Sequence, residues 1–101
     1  MNVYGYNKPL KGFQSLTVIQ QVYLEGYEWL DLFATREMDE RSLMIEITDA
    51  KTGSFIGGGG ETVEEALEYA LATLSKHTRE ATEQRQAEVI EQYGKSPWRK
   101  E

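Results

Sequence analysis

Residues 55–68 read FIGGGGETVEEALE, four glycines running straight into an acidic helix start. The helix half is the clearest local signal in the chain. Thr62 followed by Glu65 has the spacing of a capping box, in which the threonine oxygen accepts from the amide of Glu65 and the glutamate reaches back to the cap amide. Glu64 and Glu65 suit the positive end of a helix dipole. Val63, Ala66, Leu67, Ala70, Leu71 and Leu74 then recur at helical spacing and predict one apolar stripe that packs on a sheet. The glycine half invites comparison with a phosphate-binding loop, because backbone amides at a helix start attract anions. A P-loop, however, needs a lysine and a hydroxyl residue directly after its last glycine, and Glu61, Thr62, Glu64 and Glu65 stand there instead. The run therefore reads as a strand end or bulge that allows close packing.

Working outward, SLMIEITDA (42–50) alternates Leu43, Ile45 and Ile47 with Met44, Glu46 and Thr48, as a half-buried strand does. DAKTG (49–53) supplies turn chemistry, and SFI (54–56) reads as a short strand ending in the glycines. Upstream, SLTVIQQVYL (15–24) and YEWLDLFATRE (27–37) flank Glu25 and Gly26 and predict a tight hairpin; a helix over 16–24 is the other reading. In the hairpin, Leu24 faces Tyr27, Val22 faces Trp29, Gln20 faces Asp31 and Val18 faces Phe33. One face then carries Leu16, Val18, Val22, Leu24, Tyr27, Trp29 and Phe33 around Gln20 and Asp31. The other carries Ile19, Tyr23, Leu30, Leu32, Ala34 and Arg36. Residues 1–14 read as a loop pinned by Tyr4, Tyr6 and Phe13, and 38–41 as a polar loop. Downstream, 75–92 is helix-forming but polar, either continuing the first helix or breaking near SKHT, and Gly94 and Pro97 end it. The expectation is an α+β fold: an antiparallel meander of three to four strands packed on one amphipathic helix. Residues 1–77 form its core, and 78–101 form a helical extension and tail of the same domain.

Composition bounds the function. The chain has 101 residues, 40% of them hydrophobic, a net charge of −6 and no cysteine. That is one domain able to bury roughly 60–70% of its unfolded surface. Disulfides, thiol nucleophiles and cysteine metal sites are excluded. A membrane span is not in view, and the N-terminal residues lack a secretion signal, so a cytoplasmic protein is expected. The negative field disfavours nucleic acid as a partner. His77 is the only histidine and reads as a helix-face residue. No cofactor, metal or catalytic constellation is expected.

The excess of polar helix is the main pointer to function. Val89, Ile90, Tyr93 and Trp98, with the acidic Glu83 and Glu91, are candidate contacts for a protein partner or a second copy in a dimer. Trp98 should dock on its own domain or on that partner. A second candidate is a ligand pocket built from Gln20, Asp31, Trp29 and Arg36, with aromatics to stack and arginines, Arg79 and Arg85 included, to meet charge. It suits a protein that sequesters a nucleotide-like molecule.

Residues 43–74 resemble the core of HicB-type antitoxins, which carry strand, glycine turn, short strand and a Gly-(Asp/Glu)-Thr-x-Glu-Glu-Ala-Leu helix start. The matching residues are Gly60, Glu61, Thr62, Glu64, Glu65, Ala66 and Leu67, and TDAKTG stands where that family has Pro-Asp-x-Pro-Gly. The resemblance implies strands packed on a helix. A regulator or inhibitor that acts by protein contact, of the antitoxin type or the phage-encoded defence-inhibitor type, is expected from the acidic surface, the lack of a catalytic constellation and the polar helix with its tryptophan tail.

Overall fold

The computed structural model describes residues 2–7, 9–36 and 44–99. The loop read at 38–41, Leu43 and Lys100 lie outside these residues. The chain forms β1 (Val3–Asn7), β2 (Gly12–Val22), β3 (Leu32–Arg36), β4 (Ile45–Asp49), β5 (Ser54–Gly60), α1 (Val63–Leu74) and α2 (Arg79–Tyr93). Among the described residues five strands make one antiparallel meander in sequence order, so the class is α+β, with five strands rather than the expected three or four, and with the helical extension forming a second helix. The extra strand is β1, in the segment read as a loop: it pairs with β2 from Val3↔Leu16 to Asn7↔Gly12. The sheet curls until its two edges approach, where the Tyr6 amide donates to the Gly53 carbonyl at 3.4 Å.

The expected hairpin register does not form. Val22 pairs with Leu32, Gln21 with Phe33 and Gln20 with Ala34. Residues 23–31 make the connection, with turns closed by Tyr27 N–H to Leu24 O and Leu30 N–H to Tyr27 O. Ile19 is an extra residue, since Val18 pairs with Thr35 while Gln20 pairs with Ala34. A bulge of this kind inverts the alternation beyond it. Val18 and Val22 therefore serve opposite sides of the sheet.

Two cores result. The larger joins Val22, Leu24, Leu30, Leu32, Ala34, Ile45 and Ile47 to Ala66, Ala70 and Leu74 of α1. The smaller, on the other side, joins Val3, Leu16, Phe33 and Ala50, with Val18 and Trp98 packed against it. Thr35 and Thr48 are fully buried and share a hydroxyl hydrogen bond of 2.8 Å, so β4 is buried on both faces rather than on one. On α1 the stripe holds except at Leu71, which is exposed.

The glycines continue β5 and bulge, as read. Between the pairs Ile47↔Ile56 and Ile45↔Gly60, β5 uses four residues against two of β4. Gly57 there has φ +78°, and a Cβ on it would lie 2.8 Å from the Tyr69 backbone. A Cβ on Gly60 would lie 2.7 Å from the Ala66 amide nitrogen. Glycine is required at both places because α1 sits with its backbone against the strand. Thr62 caps α1, accepting from the Glu65 amide at 3.1 Å. The Glu65 carboxylate is taken by the Tyr69 hydroxyl at 3.4 Å.

A groove beneath the second helix

The helical segment breaks at SKHT, and Thr78 starts α2 by accepting from the Ala81 amide at 3.1 Å. Only Gln86 and Val89 of α2 are buried. The helix does not press its length onto the sheet. Side chains moor it instead: Gln86 Nε2 donates to Asp49 Oδ2 at 2.7 Å, the Tyr93 ring lies 4.3 Å from that of Tyr6, and the Arg79 guanidinium sits 4.6 Å above the Trp29 ring. Beyond Gly94 the tail passes to the smaller core, where Trp98 meets Phe33 edge-on at 6.2 Å.

Between α2, the end of α1 and the β4–β5 turn runs an open groove of about 820 Å³. Tyr6 and Tyr93 close one end, and Phe55, Ile56, Leu74 and Val89 supply apolar wall. Its polar lining includes Asp49, His77, Arg85 and Glu88. The volume falls in the range of small-molecule clefts, which are also mostly apolar with a few placed polar groups. A second hollow of about 320 Å³ lies across Gln86, bounded by Trp29, Asp31, Lys51, Arg79 and Glu83.

Asp49 is the electrostatic centre of the groove. It is 3% exposed. Its Oδ1 accepts from the Lys51 amide at 3.1 Å, and its Oδ2 accepts from the Thr52 hydroxyl at 3.2 Å as well as from Gln86. The same residue therefore starts the 49–53 turn and ties α2 to the sheet. Burial pushes its carboxyl above the ordinary value, and the bonds from Gln86, the Lys51 amide and Thr52 pull part of the way back. On the rim, Arg85 and Glu88 pair loosely at 3.7 Å with both side chains largely in solvent, an arrangement worth little.

The candidates from sequence divide. Trp29 and Asp31 both line the smaller hollow. Gln20 and Arg36 are exposed on β2 and β3 and line neither cavity, because the expected register is not the one formed. Val89 is buried and Tyr93 half-buried within the chain, both lining the groove. Ile90 is half-buried, Trp98 rests on Phe33, Glu83 pairs with Arg79 at 2.8 Å, and Glu91 is exposed. Asp49, Gln86, Tyr6 and Phe55 were not singled out as site residues. Asp49 carried a signal only as a turn starter, and Gln86 carried none, because its partner lies 37 positions away.

Among the described residues no three side chains of the metal-ligating types cluster, and no helix is long and apolar enough to cross a membrane. Comparison of the chain with protein-family models, with curated proteins and with solved structures finds no match.

Proposed function

We propose that the protein binds a small, flat molecule in the groove beneath α2 and acts by holding it, without chemistry of its own. The observation that carries this reading is the 820 Å³ groove with a tyrosine pair at one end and a buried carboxylate in its wall. Tyrosine rings give area for stacking at little conformational cost. A phosphate is not the feature recognised: Arg85 already has Glu88 beside it, and acidic residues crowd the start of α1. The test is thermal stabilisation by a panel of nucleosides and other flat heterocycles, repeated on Ala81→Trp. Ala81 is an exposed groove residue, and a tryptophan there places a ring in the space. Stabilisation of the parent and none of the variant is expected. A panel that stabilises neither, or both equally, refutes the proposal.

The second reading is a regulator or inhibitor that works by protein contact, as antitoxins and phage-encoded inhibitors do, with a dimer as one form of that contact. It is favoured by the net charge of −6 and by the exposed Glu80 and Glu91 of α2. Val89, Tyr93 and Trp98 now face their own chain, which leaves this reading resting on charge and on the antitoxin resemblance. Reversing Glu80 and Glu91 to lysine should abolish capture of a partner from host lysate. Unchanged capture, or none by the parent protein, counts against it.

A further inference from the structure

We propose that the groove selects a cationic aromatic amine, its charged nitrogen drawn to Asp49 and its ring laid against the Tyr6–Tyr93 pair. The inference rests on the groove reading above and adds the charge and shape of the ligand. Besides the phenols of Tyr6 and Tyr93, four ionisable side chains line the groove: Asp49, His77, Arg85 and Glu88. Arg85 and Glu88 are opposite in sign, adjacent and solvated, so their fields offset and are screened. Asp49 is buried and is screened far less. All three of its hydrogen-bond donors are neutral groups: an amide side chain, a hydroxyl and a backbone amide. Buried carboxylates are ordinarily paired with a cation. The Lys51 ammonium acts on Asp49 through space, and less than any of the three hydrogen bonds; its side chain is exposed and lines the other hollow, so none of the carboxylate's hydrogen bonds comes from a cation.

The ring pair sits within reach. The Gly53 amide donates to the Asp49 carbonyl at 2.8 Å, and the Gly53 carbonyl accepts from the Tyr6 amide at 3.4 Å. A single turn thus carries the carboxylate at one end and abuts the first tyrosine at the other. Tyr93 leans on Tyr6 at an interplanar angle of 35°, and Phe13 meets Tyr6 edge-on at 5.3 Å. Tyrosine faces are electron-rich and favour cations as well as rings. The upward push on the Asp49 carboxyl shows that its hydrogen bonds and the Lys51 charge together do not offset its burial. The overall charge of −6 steers cations toward the protein and anions away.

Three probes with one ring and different charge test this: tryptamine, tryptophol and indole-3-propionate, titrated calorimetrically into the full chain at mildly alkaline pH. Tryptamine should bind about tenfold more tightly than the neutral alcohol, with the acid weakest. In Asp49→Asn the amine should lose that preference while tryptophol binds as before. Tyr93→Leu, which leaves the carboxylate in place, should weaken all three probes and keep their order. Equal binding of the three probes, tightest binding of the acid, or an amine preference that survives Asp49→Asn overturns the cation assignment and leaves the groove reading standing. Absence of binding by all three overturns both.

Discussion

Replacing Asp49 separates its two duties. Asp49→Ala removes three hydrogen bonds at once, from Gln86, Thr52 and the Lys51 amide. It also strands the Gln86 carboxamide, which is only 8% exposed. An orphaned buried polar group costs about 1–3 kcal/mol, and each bond to a charged acceptor contributes about 1.5–3 kcal/mol before desolvation is set against it. Desolvation of the carboxylate offsets much of the second term, so the net loss should be about 2–4 kcal/mol, or a fall in Tm of about 10–25 °C. Asp49→Asn should behave differently. Its oxygen can accept from the Lys51 amide, its NH2 can donate to Thr52, and a flipped Gln86 amide can accept in turn. The loss should stay within about 1 kcal/mol.

The pH response distinguishes the two variants further. The folded state raises the Asp49 carboxyl above 3.8, so the fold disfavours its ionised form. Its contribution to stability is therefore largest at acid pH and is lost as pH rises from 3.8 through the raised value. The parent protein should gain stability relative to Asp49→Asn as pH falls through that window. Urea unfolding followed by tryptophan fluorescence measures both effects. If the asparagine variant is as damaged as the alanine one, or if acid narrows the parent's advantage, the account of Asp49 is wrong.

Other expectations follow from the same geometry. Gly57→Ala places a Cβ against the Tyr69 backbone at positive φ and should cost about 3 kcal/mol or more, whereas Gly58, with nothing within 4 Å of its Cβ position, should accept alanine within about 0.5 kcal/mol. Urea midpoints of the two variants give the comparison. Thr62→Ala removes the α1 cap and should cost about 1 kcal/mol, read as a lower Tm by calorimetry. The Glu65 carboxylate beside it holds the Tyr69 phenol above its ordinary value of 10.0. Ultraviolet titration should show that phenol moving down in Glu65→Gln, and an unmoved titration contradicts the assignment.

What was legible in the sequence was what is local. The threonine half of the capping box at Thr62, the stripe through Ala66, Ala70 and Leu74, and the 49–53 turn are each written within a few residues and formed as read, while the Glu65 carboxylate went to Tyr69 instead of the cap amide. The β2–β3 register was not legible. Tyr27, Trp29 and Leu30 have the composition of a strand, yet their backbone closes turns, and the extra residue at Ile19 reverses the alternation on which a register is read. The N-terminal strand was hidden by Gly5, which packs against Leu16 and Phe55 as the sheet curls. The groove was the least legible feature. Asp49 and Gln86, or Tyr6 and Tyr93, meet only after the whole chain has closed, and nothing in their neighbours marks them. The glycine run was legible in kind, as a strand end or bulge that allows close packing, but not in its cause: the demand is made by α1, whose backbone lies against Gly57 and Gly60.

The bulge at Ile19 sets how β2 tolerates a change in length. Losing one residue from a paired strand ordinarily turns every later side chain to the wrong face. Here the unpaired residue already separates two stretches of opposite parity, Thr17–Val18 against Thr35–Arg36 and Gln20–Val22 against Leu32–Ala34. Deleting Ile19, whose side chain is 39% exposed, would leave each remaining residue opposite its present partner in an unbroken ladder. One position in β2 is thus removable, while the same deletion made at Leu16 or Val22 would take a buried side chain out of the smaller or the larger core respectively.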